Sequence, residues 1–121
     1  MFLGLGGGSG ETVYAIDLDG NDSIEYPGPG DGISGDFTME CFFLMDSGAS
    51  GFQRIFSTKE GTYSDEQTMI RRHDNGKVQF YAGDSSPAEH TGSSISHSTW
   101  HHAAIVRSGS TISYYYDGSR S

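Results

Sequence analysis

The sequence predicts an all-β domain, either an antiparallel β-sandwich or a barrel. Short segments that alternate apolar and polar residues recur at intervals of about ten residues, as the strands of such domains do. The chain has 121 residues, of which 18 are Gly and 3 are Pro, so tight turns are plentiful. No stretch shows helical periodicity, and this length suits one domain.

The chain begins with a segment that is expected to lie outside the sandwich. Residues 1–11 are rich in Gly and form a predicted N-terminal arm, and residues 12–121 form the predicted sandwich. The apolar residues Phe2, Leu3 and Leu5 favour docking of the arm on a partner, whereas its glycines favour a loose leader. The sequence leaves both alternatives open.

The first predicted strands flank an acidic turn. Residues 12–18 form a strand, residues 19–22 turn the chain, and residues 23–26 form a second strand that ends at the Pro-Gly loop 27–32. One face of the first strand carries three apolar side chains, Tyr14, Ile16 and Leu18. We expect this face to point into the core.

The longest predicted strand spans residues 36–45. Its core face is predicted to hold Phe37, Met39, Cys41, Phe43 and Met45. Its other face holds Thr38, Glu40, Phe42 and Leu44. Because that second face also carries large apolar residues, we expect a loop or a neighbouring subunit to cover part of it. The lone Cys41 excludes an intrachain disulfide and is expected to be a buried, inert thiol.

The rest of the chain predicts two hairpins and a long polar loop. Further strands are predicted at residues 52–58, 68–72, 77–82, 100–107 and 111–116. Asn75-Gly76 favours a tight hairpin between the second and third of these. Residues 83–98 are polar and predict a loop with one short strand at 94–96.

Six motifs occur in an order that resembles the laminin-G-like, concanavalin A-like jelly rolls. They are LDGND at 18–22, DFTMECFF at 36–43, IFS at 55–57, NGKVQF at 75–80, WHHAAIVR at 100–107 and YYDG at 115–118. The resemblance implies a jelly-roll β-sandwich. Domains of this family usually continue with several strands after the Tyr-Asp-Gly turn. We therefore expect this sandwich to be truncated, lacking its C-terminal strands, or to be completed by another chain.

The charge and the acidic residues argue against several function classes. A formal net charge of -9 disfavours nucleic acid and anionic membranes as partners. Glycosidases of this fold carry a Glu-x-Asp-x-Glu run, which supplies the paired carboxylates of hydrolysis. Glu40 stands alone on its strand, so we expect a protein that is not an enzyme. His97 and His101 lie too far apart along a strand to share a zinc ion.

Calcium is the one cofactor that the sequence suggests. Some laminin-G-like domains bind calcium at a sheet rim, and such a site here would use the carboxylates of Asp17, Asp19, Asp22 and Asp117. These residues meet only if the first strand and the last turn lie together. The alternative is ordinary turn chemistry, which favours Asp in these loops.

Two side-chain groups remain open to more than one interpretation. His102 shares a strand face with Trp100 and is expected to be a hydrogen-bonded histidine of the core or the rim. Sugar binding would use aromatic platforms, whereas cross-strand packing would bury the same rings. The candidates are Tyr63, Tyr81, Tyr114, Tyr115 and Tyr116.

The expected function is structural or adhesive. The early start of the domain after Met1 and the Gly-rich leader resemble phage virion proteins that carry such domains. We expect a capsid decoration (knob) or fibre protein on the particle surface, in contact with capsid or other virion proteins, with neighbouring copies, or with cell-surface glycans. The alternative is a carbohydrate-binding or adhesion module of a longer bacterial protein, located outside the cell or on its surface.

Overall fold

The computed structural model describes residues 2–4, 15–19, 24, 35–58, 68–82 and 88–121. This part of the chain forms ten β-strands. They are β1 (Phe2–Gly4), β2 (Ala15–Asp17), β3 (Phe37–Leu44), β4 (Gln53–Ser57), β5 (Met69–Arg72), β6 (Lys77–Ala82), β7 (Ala88–Ser94), β8 (Trp100–Ser108), β9 (Thr111–Tyr116) and β10 (Ser119–Arg120). None of the described residues belongs to a helix that could cross a membrane.

The strands form two antiparallel sheets. The six-stranded sheet has the order β10-β9-β8-β3-β1-β2, and the four-stranded sheet has the order β4-β5-β6-β7. None of the described strands of one sheet pairs with a strand of the other, so the architecture is a sandwich rather than a barrel. The predicted all-β sandwich of jelly-roll type is confirmed.

The core lies between the two sheets and contains the predicted face of β3. Met39, Cys41, Phe43 and Met45 are buried there, and Phe37 packs against them at the rim. The four-stranded sheet and β8 contribute the opposing apolar side chains: Ile55, Ile70, Val78, Phe80, Ala82, Ala103 and Ile105. The period-two pattern of β3 therefore predicted its inward face correctly.

Part of the N-terminal arm belongs to the six-stranded sheet. Residues 2–4 pair with β3 on one side and with β2 on the other, with Leu3 opposite both Phe43 and Ile16. Both neighbours belong to this chain, so residues 2–4 are part of the sheet and not a loose leader, and docking of the arm on a partner stays a prediction. A strand between two others satisfies its backbone groups on both sides. The Gly-rich composition of the arm did not predict this strand. Residues 5–11 lie outside the described residues.

The first predicted strand is shorter and more exposed than expected. It spans Ala15–Asp17 and forms the edge of the six-stranded sheet. Ile16 is 49% exposed, so its predicted place in the core is wrong. A sheet of four strands cannot cover all positions of a sheet of six. Tyr14 lies outside the described residues, as does all of the predicted strand 23–26 except Ile24.

Strand β7 occupies part of the segment that was predicted to be a loop. Ala88–Ser94 pairs with β6, with His90 opposite Phe80 and Thr91 opposite Gln79. The segment is polar because it forms the edge of the four-stranded sheet, where no apolar alternation is required. The short strand predicted at 94–96 is not formed, because β7 ends at Ser94. Instead, Ile95 is buried and donates its backbone N–H to the carbonyl of Gly76 (2.9 Å).

Adjacent residues of β3 provide a test of the sandwich. Replacement of the fully buried Phe43 (Phe43→Ala) should lower the free energy of unfolding by about 3–5 kcal/mol, because it leaves a cavity in the core. Phe42→Ala removes the same atoms from the outer face, where Phe42 is 47% exposed, and should cost less than about half as much. Urea denaturation measures both. Equal losses would contradict the assignment of the two faces.

Cys41 makes the stability sensitive to alkaline pH. Burial, and next the charge of Glu40, raise the pKa of the Cys41 thiol from 9.0 to about 12. The folded state therefore keeps a proton that the unfolded state releases. This contribution is complete below pH 9.0 and is lost as the pH rises towards about 12.

Cys41→Ala isolates this effect. Above pH 9.0 the free energy of unfolding should fall less steeply in the variant, by up to about 1.4 kcal/mol per pH unit. Below pH 8 (about one unit under the free thiol value), the two proteins should show parallel pH profiles. Parallel profiles at high pH as well would show that the thiol is not protected by the fold.

Candidate functional site

The structure separates the predicted calcium ligands. Asp17 is exposed at the β2 edge of the six-stranded sheet, and Asp19 follows it. Asp117 lies between β9 and β10, so four strand spacings, about 19 Å, separate it from β2. The first strand and the last turn do not meet, and Asp117 does not join Asp17 and Asp19. Asp22 lies outside the described residues.

No metal-binding group is present in the part of the chain that the structure describes. No three His, Cys, Asp or Glu side chains there are arranged to hold an ion. Asp117 lies in a turn, as the alternative of turn chemistry expects. Calcium binding by Asp17, Asp19, Asp22 or Asp117 stays a prediction.

Asp117 joins the last turn to β8. Asp117 and Gly118 both have positive φ, 48° and 76°, which gives the two-residue turn that suits a right-twisted hairpin. The Oδ1 atom of Asp117 accepts a hydrogen bond from the backbone N–H of His102 (2.9 Å), and the N–H of Asp117 donates to the carbonyl of His102 (2.8 Å). Its carboxylate thus positions His102.

His101, rather than His102, is the histidine of the core. It is buried and lies between the rings of Phe43 (5.7 Å) and Tyr116 (5.2 Å). Its Nδ1 is 2.8 Å from Oδ2 of Asp117, and its Nε2 is 3.0 Å from the carbonyl of Ser96. Both ring nitrogens therefore have a partner within the protein. The signal that the sequence analysis missed is that His101 shares a face with the buried Ala103 and Ile105.

The outer face of β3 and β8 carries exposed aromatic side chains. We call it the aromatic face and define it by Glu40, Phe42, Leu44, Trp100 and His102. Phe42 lies opposite His102, and Leu44 lies opposite Trp100. Phe42 is 47% exposed and Trp100 is 44% exposed. The covering loop or subunit that the sequence predicted is therefore not provided by the described residues.

Polar groups lie directly beside these rings. His102 packs on Phe42 with ring centroids 4.7 Å apart, and its Nε2 is 3.1 Å from Oε2 of Glu40. The Glu40 side chain is largely exposed, whereas the His102 side chain is mostly covered. His102 is thus a hydrogen-bonded histidine of the rim and not of the core, which were the two alternatives that the sequence left open. The aromatic face combines flat apolar rings with a carboxylate and an imidazole.

Small residues lie next to Phe42 and Glu40, whereas Phe2 of β1 lies opposite Leu44. Gly4 and Ala15 lie beside Phe42 in the register of β1 and β2. Ala104 separates Glu40 from Tyr115 on the other side. Because these neighbours have short side chains or none, the outer side of Phe42 is open to a ligand.

On the outer face of the four-stranded sheet, in contrast to the aromatic face, several polar side chains are buried. Its residues Met69, Arg71 and Gln79 are buried. Arg71 donates from Nε to Oε1 of Gln79 (2.5 Å) and from Nη2 to the hydroxyl of Tyr81 (2.8 Å). The guanidinium also lies over the rings of Phe52 (4.5 Å) and Tyr81 (4.8 Å). Phe52 is 53% exposed on that face, but Arg71 covers one side of its ring, and the polar groups of this network already have partners within the protein.

The tyrosines mostly pack rather than bind. Tyr114 contacts Phe80 across the sandwich (5.3 Å), and Tyr116 is buried beside His101. Burial raises the pKa of Tyr114, and burial followed by the charge of Asp117 raises that of Tyr116. Tyr115 lies on the outer side of β9, next to the aromatic face. Tyr63 lies outside the described residues.

Comparison with known families agrees with this geometry. The laminin-G family model described as the concanavalin A-like lectin/glucanases superfamily matches residues 18–121. The chain belongs to this superfamily. A concanavalin A-like domain of the laminin-G type fits a carbohydrate-binding or adhesion module. No curated protein and no solved structure matches the chain.

The role of Asp117 can be tested with a matched pair of turn aspartates. Asp117→Gly keeps the positive φ accessible but removes two side-chain hydrogen bonds, and should lower the free energy of unfolding by about 2 kcal/mol. Asp74→Gly changes an exposed aspartate in the β5–β6 turn and should cost less than about 1 kcal/mol. Chemical denaturation measures both. Similar losses in the two variants would contradict the proposed anchoring role.

Proposed function

We propose that the domain is a non-enzymatic adhesion module that binds glycans through the aromatic face. The observation that carries the proposal is the exposure of Trp100 and Phe42 beside the hydrogen-bonded pair of Glu40 and His102. The superfamily membership of the chain supports the same class of ligand.

The chemistry of the aromatic face suits a sugar. A pyranose ring has an apolar C–H surface that packs on an aromatic ring, and hydroxyl groups at its edge that need polar partners. Trp100 and Phe42 supply the rings. The carboxylate of Glu40 accepts hydrogen bonds, and the imidazole of His102 orients that carboxylate. Binding sites commonly combine apolar walls with a few placed polar groups in this way.

The arrangement of carboxylates on the aromatic face favours binding of a sugar over its hydrolysis. Glycoside hydrolysis uses two acids at a set separation. Glu40 has an imidazole rather than a second carboxylate as its hydrogen-bond partner. The sequence has no Glu-x-Asp-x-Glu run. These features support an adhesion or carbohydrate-binding function, with location outside a cell or on its surface.

A structural role on a virus particle is the second candidate. As a capsid decoration or fibre protein, the domain would contact capsid proteins or neighbouring copies of itself. The exposure of Phe42 and Trp100 favours this candidate as well, because large apolar patches are often covered by protein. Calcium, if it binds near Asp17, would be an accessory to either role.

Trp100→Ala tests the glycan-binding proposal. Loss of the exposed ring should weaken binding about five- to thirtyfold, because stacking on an aromatic ring contributes on the order of 1–2 kcal/mol. A glycan array identifies the bound sugars, and titration calorimetry measures the affinities. Phe52→Ala is the control, since Phe52 is also an exposed aromatic residue (53%, against 44% for Trp100) but lies next to β4, against Arg71 of the four-stranded sheet.

The outcome also separates the two candidates. Unchanged affinity in Trp100→Ala, or equal losses in both variants, would contradict glycan binding at the aromatic face. If the protein binds no glycan but forms oligomers that Trp100→Ala dissociates, the structural role is favoured. Analytical ultracentrifugation measures that association.

A further inference from the structure

The aromatic face has an acidic surrounding. Glu40 lies two residues from Phe42 on the same side of β3, and its side chain is 61% exposed. Asp17 lies in the same cross-strand row as Trp100 and Leu44, but three strand spacings, about 14 Å, separate it from Trp100. The whole chain has a formal net charge of -9. A ligand that reaches Phe42 therefore approaches the carboxylate of Glu40 in a protein of negative net charge.

We propose that the aromatic face selects uncharged glycans and rejects acidic ones, with Glu40 as the residue that determines this choice. This inference rests on the proposed function and names the ligand class of the same site. Uncharged glycans here are chains without uronic acid, sialic acid or sulfate groups where they contact the rings.

The hydrogen bonding of Glu40 supports this choice. An ionised carboxylate only accepts hydrogen bonds and has about four acceptor positions. His102 occupies one of them, at 3.1 Å. The exposed remainder of the carboxylate can accept hydroxyl hydrogens from a sugar. A ligand carboxylate or sulfate has no hydrogen to donate there and meets a like charge instead.

The cationic groups near the aromatic face do not compensate. His102 directs its Nε2 towards Glu40, so a protonated ring would neutralise that carboxylate without leaving an excess positive charge. Arg120 lies in the row of Glu40 but three strands away, beyond Tyr115 and Ala104. That is about 14 Å, which exceeds the screening length in physiological salt. Among the residues that the structure describes, the face therefore offers an anionic ligand no adjacent cation.

Matched pairs of glycans provide the test. A glycan array is chosen in which each neutral glycan has a partner that differs only by one sialic acid, sulfate or uronic acid group. Calorimetry on the best pair then gives the ratio of the two dissociation constants. We expect the neutral member to bind at least about fivefold more tightly, as one like-charge contact in water implies. Raising the salt from about 0.05 M to about 1 M should reduce this ratio.

Two variants identify the residue responsible. Glu40→Gln keeps the shape and an acceptor but removes the charge, and should bring the ratio to within about twofold. Asp74→Asn makes the same change in net charge on the four-stranded sheet and should leave the ratio as in the wild type. An effect of net charge alone would change both variants equally and would overturn the role of Glu40.

The results distinguish this inference from the proposed function. Binding that depends on Trp100 but shows no preference for neutral glycans, or a ratio unchanged in Glu40→Gln, overturns the ligand class alone. Absence of binding to every glycan, or binding that is indifferent to Trp100→Ala, overturns both. A neutral preference that Glu40→Gln removes, in binding that requires Trp100, supports both.

Discussion

The pairing of β3 with β8 at the centre of the six-stranded sheet is the interaction on which the rest depends. Eight residue pairs join these strands, from Phe37 opposite Arg107 to Leu44 opposite Trp100. Because side chains alternate along a strand, this register decides at once which residues enter the core and which reach the outer face. A slip of one residue in β8 relative to β3 would separate Phe42 from His102 and Leu44 from Trp100.

The two outer faces of the sandwich differ because their polar groups are used differently. On the four-stranded sheet, Arg71 donates hydrogen bonds to Gln79 and Tyr81 and packs on the ring of Phe52. These polar groups therefore pair with one another within the protein. On the six-stranded sheet, Glu40 and His102 pair at the surface and leave the carboxylate in solvent. A buried polar network rigidifies a sheet, whereas an exposed pair beside open rings offers contacts to a ligand. This difference identifies the aromatic face as the candidate site.

Sequence patterning predicted those parts of the fold whose burial follows a simple period. The inward face of β3, the hairpins β5–β6 and β8–β9, and the Asp-Gly turn all follow from local alternation and turn chemistry. The failures lie where the neighbouring strand decides. Strand β7 is polar and Gly-containing, and only its pairing with β6 makes it a strand. Ile16 has the pattern of a core residue, but its strand lies at an edge that the smaller sheet does not cover.

By itself, the sequence determined the class of fold, the core face of β3 and the lack of a Glu-x-Asp-x-Glu run, because these depend on residue type and on spacing within one segment. Only the tertiary structure decided which of two adjacent histidines enters the core, that Asp117 anchors β8 instead of joining Asp17, and that Phe42 and Trp100 lie exposed on the sheet face that carries Glu40. Each of these depends on strand order and on cross-strand register. Both are set by contacts between residues far apart in the chain, and a pattern read along one strand does not contain them.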